Sequence, residues 1–204
     1  MEITIAEESM AAAPELARVP ISFVVESVFE VSAPAGGLGG LTLSERRLDA
    51  PYVKDYDAFE GERPARWAER FDVSNWGLVG ARAGGARVGA AVVAFDTEGV
   101  EMLEGRRDLA VLWDLRVGPE ARGRGVGGAL FRAAEGWAAA RGCRRLKVET
   151  QNVNVPACRF YARQGCVLGA INRFAYPDLP DEVQLLWYKT LSPRDGLRAA
   201  TEGG

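Results

Sequence analysis

A glycine-rich turn is the segment of this sequence whose composition best suits the binding of a charged ligand. Residues 122–128 read RGRGVGG and lie between a predicted strand and a predicted helix. Glycines allow backbone N–H groups to approach a ligand closely, and the first turn of a helix carries partial positive charge. The turn therefore favours a phosphate or pyrophosphate as ligand. A flexible turn without any ligand is the alternative interpretation.

The same segment also matches the G-x-G-x-x-G pattern of dinucleotide-binding folds. Gly123, Gly125 and Gly128 supply the glycines, and Glu149 follows about 20 residues later, where such a fold would hold a ribose. In that fold the first glycine directly follows the strand, whereas Gly-Pro-Glu-Ala-Arg separates the strand from Gly123 here. No second βαβ half follows, so a nicotinamide cofactor is the weaker interpretation.

The elements around the turn are predicted most clearly in the second half of the chain. Leu109–Val117 alternates apolar residues on one face, which predicts a strand. From Val126 to Ala140 the apolar residues follow helical spacing, and Gly142 is a natural terminator. This half is completed by a strand at 146–150, a short helix at 154–164 with Asn154 as its cap, and strands at 167–176 and 183–191.

The first half is predicted to contain a strand at 22–31, a turn at 36–40, a helix at 57–71 and a hairpin of 76–81 with Ala86–Phe95. This order predicts a mixed α/β (α+β) fold class. A central, mostly antiparallel sheet would carry one strand–helix–strand unit, with helices on both faces. The single domain would span residues 21–191, flanked by flexible segments at 1–20 and 192–204.

Composition restricts the chemistry and the partners. The sequence contains no histidine, which removes histidine-based catalysis and histidine-ligated zinc and leaves carboxylates, Tyr, Lys, Cys or water for proton transfer. The three cysteines lack metal-ligand spacing, so no metal is predicted. The net charge of -3 gives no reason to expect nucleic acid or an anionic membrane as partner. Without a long apolar segment or a signal peptide, a cytoplasmic location is expected.

Two motifs resemble the GNAT superfamily of N-acetyltransferases. The pattern Arg122-x-x-Gly125-x-Gly127 resembles the loop that binds the pyrophosphate of acetyl-CoA in that superfamily. The pattern Asn154-x-x-Ala157-x-x-x-Tyr161-x-x-x-Gly165 resembles its second cofactor segment, after the next strand. The resemblance implies a GNAT-like single-domain fold and acetyl-CoA as co-substrate.

A narrower resemblance connects the chain to the streptothricin acetyltransferase subfamily. Residues 146–169 read LKVETQNVNVPACRFYARQGCVLG and carry most of it, with shorter similarities at 28–31, 51–56 and 185–188. The similarity covers about residues 21–190. Two features depart from the pattern: Cys166 stands where the superfamily usually has Phe, and the loop at 36–40 is rich in glycine.

The resemblance implies a set of cofactor contacts. The residues expected to bind acetyl-CoA are Leu115, Arg116, Val117, Arg122, Gly123, Arg124, Gly125, Val126, Gly127, Asn154, Ala157 and Tyr161. In the family's fourth strand, backbone N–H groups near a bulge polarise the thioester carbonyl, a role that would fall on residues 115–117. Tyr161 matches the family's general acid, since a phenol stays protonated at neutral pH and could protonate the departing thiolate. An ordinary core tyrosine is the alternative.

Asp114 and Glu149 are the candidate carboxylates for the amine. Either could accept a proton from an ammonium group, directly or through water, or bind a cation, and surface carboxylates are the alternative. Glu149 is preferred because it belongs to the subfamily-like ETQ segment, with Asp114 as partner. An acidic, aromatic acceptor pocket is predicted to be lined by Tyr52, Asp55, Tyr56, Trp187 and Tyr188. Core and rim aromatics are the competing interpretation of this set.

The resemblance thus implies transfer of an acetyl group from acetyl-CoA to a primary amine of a small molecule. For the subfamily, the resemblance implies that the acceptor is an amino group on the β-lysine arm of streptothricin. Acetylation of this group confers resistance to the antibiotic. Another amine remains an alternative: a protein N-terminus, a lysine side chain, a polyamine or an aminoglycoside. A catalytically idle acetyl-CoA sensor is a further alternative, and a homodimer stays open.

Overall fold

The computed structural model describes residues 2–192, so residues 193–204 of the predicted C-terminal tail lie outside the described part of the chain. Within it, the chain forms two compact units, each assembled from separate stretches. The first unit contains residues 2–22, 55–147 and 190–192, and the second contains residues 23–54 and 148–189.

The strands are β1 (Ile3–Glu8), β2 (Phe23–Ser32), β3 (Thr42–Lys54), β4 (Gly77–Ala83), β5 (Ala86–Phe95), β6 (Leu109–Val117), β7 (Arg145–Gln151), β8 (Val167–Asn172) and β9 (Gln184–Thr190). The α-helices are α1 (Trp67–Arg70), α2 (Val126–Ala140) and α3 (Val155–Arg163). The 3-10 helices are Met10–Arg18, Pro34–Gly37, Tyr56–Ala58, Glu60–Glu62, Pro64–Arg66, Val73–Asn75, Glu101–Leu103 and Pro119–Ala121.

Four antiparallel strands form the sheet of the first unit, in the order β1-β4-β5-β6. Helix α2 packs on one face, where Gly77 allows the Trp137 ring to approach so closely that a Cβ would come within 2.2 Å of it. Successive residues of a strand point to opposite faces. Leu78 therefore faces the other side, where it joins a core cluster with Leu16 and Trp67. Both faces of this sheet are covered, which explains the long buried runs in β4 and β5.

The second unit combines the β2–β3 hairpin with the end of β7, helix α3 and the antiparallel pair β8–β9. Val25, Val28 and Val153 form its buried cluster. The sequence did not predict β3, because Thr42–Lys54 is rich in charged residues and most of it is exposed. The predicted fold class, mixed α/β with a mostly antiparallel sheet, is confirmed.

The N-terminal segment corrects one expectation. Residues 1–20 were predicted to be flexible, yet β1 pairs with β4 along its whole length. The following 3-10 helix begins with the Ser9 hydroxyl accepting a hydrogen bond from Ala11 N at 3.2 Å. Leu16 in that helix is fully buried, at 0% exposure. The alanine-rich, acidic composition does not reveal a segment whose order comes from pairing with a distant strand.

The predicted helix at 57–71 is also wrong in its form. The structure contains three short 3-10 helices and the single turn of α1 in this range. Gly61 and Pro64 account for the interruption, since glycine weakens a helix interior and proline removes a backbone donor. Trp67 is buried as a core residue, and its Nε1 donates to the Glu62 carbonyl at 3.0 Å. Strand β8 likewise ends at Asn172, short of the predicted residue 176.

No helix among residues 2–192 has the length and apolarity that crossing a bilayer requires.

Candidate active site

The glycine turn lies where the sequence predicted it, directly before α2. Gly123 and Gly125 adopt left-handed conformations with φ of +74° and +82°, which L side chains rarely tolerate. Gly125 is the N-cap residue of α2 and supplies no side-chain cap, so no side chain at this position covers the first backbone N–H groups of the helix. Uncapped donors beside left-handed glycines fit the pyrophosphate of acetyl-CoA.

Arg122 holds this turn in place. Its Nε donates to the Val117 carbonyl at 2.9 Å, and its Nη2 donates to the carbonyls of Pro20 at 3.4 Å and Ser22 at 3.3 Å. Two of its nitrogens are therefore occupied by main-chain oxygens at the end of β6 and in the N-terminal segment. This geometry favours a supporting role for Arg122, in place of the direct charge contact predicted from the motif.

Strand β6 contains a bulge just before the residues predicted to face the thioester. Leu112 and Asp114 pair with consecutive residues of β5, so Trp113 is the extra residue. Residues 115–117 follow in regular antiparallel pairing with β5. The bulge expected from the family resemblance is thus present, and it lies immediately upstream of Leu115.

The end of β6 also contains a buried ion cluster. The Arg116 guanidinium donates to Asp114 Oδ1 at 2.9 Å and Oδ2 at 2.6 Å, and to Asp57 Oδ2 at 2.8 Å and Oδ1 at 3.2 Å. Its Nη1 also donates to the carbonyls of Leu16 and Val19. The side chains of Arg116 and Asp114 are only 1% and 6% exposed.

This cluster changes the interpretation of Asp114. Burial alone would lower the pKa of Arg116, but hydrogen bonds and charges from Asp114 and Asp57 outweigh it, so the pKa is raised. Both oxygens of Asp114 neutralise this permanent cation. The geometry therefore favours a structural role for Asp114 and a buried, structural side chain for Arg116, while the main-chain role predicted for Arg116 is unaffected.

Glu149 in the second unit has a different environment. Its Oε1 accepts hydrogen bonds from the Tyr176 hydroxyl at 2.6 Å and from Gln151 Nε2 at 3.4 Å. Its Oε2 accepts from Gln184 Nε2 at 2.7 Å. These three partners are neutral, and the residue is only partly buried. None of these three contacts pairs the Glu149 carboxylate with a cation, which suits a residue that binds or deprotonates an ammonium group.

Helix α3 positions Tyr161 and Asn154. The Asn154 side chain caps the helix, its Oδ1 accepting a hydrogen bond from Ala157 N at 3.1 Å, as the sequence predicted. Tyr161 lies on the buried side of α3 at 7% exposure, with its ring edge-on to Phe160 at 5.2 Å between centroids. The contact of these residues with acetyl-CoA stays a prediction.

The predicted acceptor residues have different local environments, and their contact with an acceptor stays a prediction. Trp187 is buried at 8% exposure, and its Nε1 donates to Thr150 Oγ1 at 2.9 Å, which makes it a core residue of the second unit. The Tyr188 ring packs over Gly169, where a Cβ would come within 2.5 Å of it. Asp55 Oδ1 accepts from Asp57 N at 3.0 Å and caps the 3-10 helix that begins at Tyr56. Asp55 and Tyr56 belong to the first unit.

Tyr52, in the second unit, is 43% exposed. Burial of part of its ring, together with the charges of Glu182 and Asp181, raises the pKa of Tyr52. Glu182 itself forms a buried ion pair with Lys54 at the end of β3. Tyr52 therefore combines an accessible aromatic ring with nearby carboxylates, as predicted for an acceptor contact.

Sequence reasoning missed two partners of Glu149 and the second carboxylate that binds Arg116. Tyr176 and Gln184 follow Glu149 by 27 and 35 residues, and Asp57 precedes Arg116 by 59. No periodicity or motif connects positions so far apart. The only available signal was their location in segments near subfamily-like residues.

Comparisons with known proteins agree with this geometry. Residues 43–166 match the acetyltransferase (GNAT) family. The chain is 32% identical to streptothricin acetyltransferase of Escherichia coli, over 81% of this chain and 84% of that protein. The crystal structure of nourseothricin acetyltransferase is 25% identical with a TM-score of 0.73, over 94% of this chain and 100% of that chain. A Bacillus anthracis protein in complex with acetyl coenzyme A has the same fold, at 24% identity and a TM-score of 0.72, with the same coverage.

The fold, the glycine turn before α2 and these matches define an acyltransferase that uses a coenzyme A thioester. The chain belongs to the acetyltransferase (GNAT) family and is an acetyl-CoA-dependent N-acetyltransferase. The resemblance found in the sequence is therefore confirmed.

Proposed function

We propose that this enzyme acetylates an amino group of streptothricin, on its β-lysine arm, and so confers resistance to the antibiotic. The observation that carries the proposal is the similarity, over 81% of the chain, to a protein named streptothricin acetyltransferase. The subfamily-like ETQ segment supports it, because its Glu149 carries a hydrogen-bonded carboxylate suited to a cationic amine. Tyr52 with its neighbouring carboxylates offers a second contact for such a molecule.

The proposed reaction assigns one task to each group. Glu149 accepts a proton from the acceptor ammonium, directly or through water, so that the neutral amine can attack the thioester carbonyl. Backbone N–H groups of residues 115–117 stabilise the oxyanion that develops on the carbonyl oxygen. As the new C–N bond forms and the C–S bond breaks, Tyr161 donates its phenolic proton to the departing thiolate. Glu149 releases the first proton of the ammonium to solvent. The nitrogen loses its second proton to solvent as the tetrahedral intermediate collapses to the amide, and solvent reprotonates Tyr161.

An acceptor panel tests this proposal. Purified enzyme is incubated with acetyl-CoA and, separately, with streptothricin, spermine, an aminoglycoside and a peptide with a free amino terminus, and release of the CoA thiol is followed. We expect efficient turnover with streptothricin and the addition of one acetyl group by mass spectrometry. Turnover of the peptide or of spermine without any acetylation of streptothricin would refute the acceptor while leaving the acetyltransferase assignment intact.

A resistance assay addresses the biological role. Expression in a streptothricin-sensitive bacterium should raise tolerance, and the Glu149→Gln variant should lose most of that gain because its side chain no longer carries a charge or accepts a proton. In the purified enzyme, the same variant should raise the acceptor KM or lower kcat while the acetyl-CoA KM stays constant. Unchanged kinetics would exclude Glu149 as the group that binds or deprotonates the amine.

A further inference from the structure

The hydrogen bonds around Glu149 leave little freedom to its carboxylate. A carboxylate offers about four acceptor positions, and three are used by Tyr176, Gln151 and Gln184. The two short bonds go to different oxygens, 2.6 Å from the Tyr176 hydroxyl to Oε1 and 2.7 Å from Gln184 Nε2 to Oε2. Donors on both oxygens fix the rotation of the group as well as its position.

The Tyr176 hydroxyl has a defined direction. Gln151 Nε2 donates to the Tyr176 oxygen at 3.0 Å, which leaves the hydroxyl proton for Glu149 Oε1. An amide nitrogen can only donate, so this pair of contacts excludes the reverse orientation. Gln151 therefore supports Glu149 mainly through Tyr176, since its own contact with the carboxylate is long, at 3.4 Å.

The segment that carries Tyr176 and Gln184 is itself anchored beside Glu149. Asn152, which is buried, exchanges two backbone-directed hydrogen bonds with Val183: its N donates to Val183 O at 3.0 Å, and its Oδ1 accepts from Val183 N at 2.8 Å. Its Nδ2 donates to Phe29 O at 2.9 Å. Asn152, which directly follows the ETQ segment, thereby connects strand β2 to Val183, the residue before β9.

We propose that Tyr176 and Gln184 are positioning residues that orient the Glu149 carboxylate for the acceptor amine. Three of the four acceptor positions of the carboxylate are filled by these donors. The remaining lone pair then has one direction, and an ammonium group can donate a hydrogen bond to it. Neutral donors achieve this orientation without cancelling the charge, in contrast to the guanidinium that binds Asp114. The assignment rests on the proposed role of Glu149 in handling the amine.

A double-mutant cycle tests whether Tyr176 acts through Glu149. Tyr176→Phe keeps the ring and deletes the hydrogen bond, and it is compared in the wild-type and Glu149→Ala backgrounds. In the wild-type background we expect kcat/KM for the acceptor to fall about 10-fold, as for loss of a hydrogen bond to a charged group, with no change in the acetyl-CoA KM. In the Glu149→Ala background the same substitution should change kcat/KM by less than about 2-fold.

Gln184→Leu provides an independent variant that removes the donor from the other oxygen, and it should give the same pattern. Ser32→Ala is the matched control, since it deletes a hydroxyl from an exposed pair with Thr42 in the same unit and should leave both constants unchanged. Equal losses in both backgrounds, or no loss in the wild-type background, would overturn the proposal. The cycle uses whichever amine of the panel the wild-type enzyme acetylates. Failure with streptothricin alone therefore refutes the proposed acceptor and not the role of Tyr176.

Discussion

Arg116 and Asp114 lie two residues apart on one face of β6 and form a bidentate ion pair at 2.9 and 2.6 Å. Asp57, from the 3-10 helix Tyr56–Ala58, accepts two further hydrogen bonds from the same guanidinium. One guanidinium thus bridges two carboxylates, with Arg116 and Asp114 buried and Asp57 partly exposed. A buried pair of this kind contributes little net stability when intact. Loss of Asp114 would leave the guanidinium paired with Asp57 but without its two hydrogen bonds to the Asp114 oxygens.

Asp114→Asn should therefore reduce stability more than it reduces catalysis. We expect the free energy of unfolding in urea to fall by about 1.5–3 kcal/mol, the range for a hydrogen bond to a charged group, because Asp57 still pairs with the guanidinium. Well below Tm, kcat should change by less than about 3-fold, far short of the loss expected for a general base. Glu30→Gln, which breaks the exposed pair with Arg46, is the control and should cost less than about 1 kcal/mol. A stable Asp114→Asn enzyme with little activity would instead identify Asp114 as the base.

Substitution of Gly125 separates backbone strain from ligand binding. Gly125 and Gly142 have φ of +82° and +80°, and a Cβ would meet no atom within 4 Å at either position. Alanine should cost each about 1–2 kcal/mol, because a left-handed conformation is unfavourable for an L side chain. Only Gly125→Ala should raise the acetyl-CoA Kd in isothermal titration, because the added Cβ would lie beside the first turn of α2. Equal Kd values for the two variants would argue against pyrophosphate binding at this turn.

Tyr161→Phe tests the general acid. The substitution keeps the ring in its buried position and removes the proton that the departing thiolate requires. We expect kcat to fall by roughly 10²–10⁴, with little change in acetyl-CoA affinity. Steady-state kinetics and isothermal titration measure both quantities. A variant with wild-type kcat would show that the thiolate leaves without help from this residue.

The buried thiols should be unreactive in the folded protein. Burial raises the pKa of both Cys143 and Cys158 from 9.0 to about 11, with the Asp108 charge adding to the effect at Cys143. At pH 8 a thiol reagent such as DTNB should therefore modify these residues slowly in native protein and rapidly in guanidinium chloride.

The same thiols give a stability that depends on alkaline pH. Because their folded pKa is raised, the unfolded state ionises first, so their contribution is intact below about pH 9 and is lost as pH rises toward about 11. Cys143→Ala and Cys158→Ala should each flatten the fall of Tm in this window. Rapid native modification at pH 8, or an unaltered pH profile in both variants, would contradict the assignment.

Features that depend on a few neighbouring residues were predictable from the sequence. These features are the glycine turn, α2, the Asn154 cap of α3 and the strand alternation of β6. They follow from φ requirements, capping chemistry and periodicity, which depend on residues close together in the sequence. Residues 57–71 mark the limit of such reasoning. There the apolar spacing resembled a helix, while Gly61 and Pro64 divided it into short turns.

The environments of the two carboxylates could be described only from the tertiary structure. Asp114 and Glu149 both lie on strands, and sequence spacing could not distinguish them. Folding places the guanidinium of Arg116 and Asp57 around one, and the neutral donors Tyr176 and Gln184 around the other. The charge state and freedom of a carboxylate depend on groups within a few ångströms, and of these groups Asp57, Tyr176 and Gln184 come from positions far along the chain. The sequence by itself determined the family and the glycine turn, and the packing determined which groups surround each carboxylate.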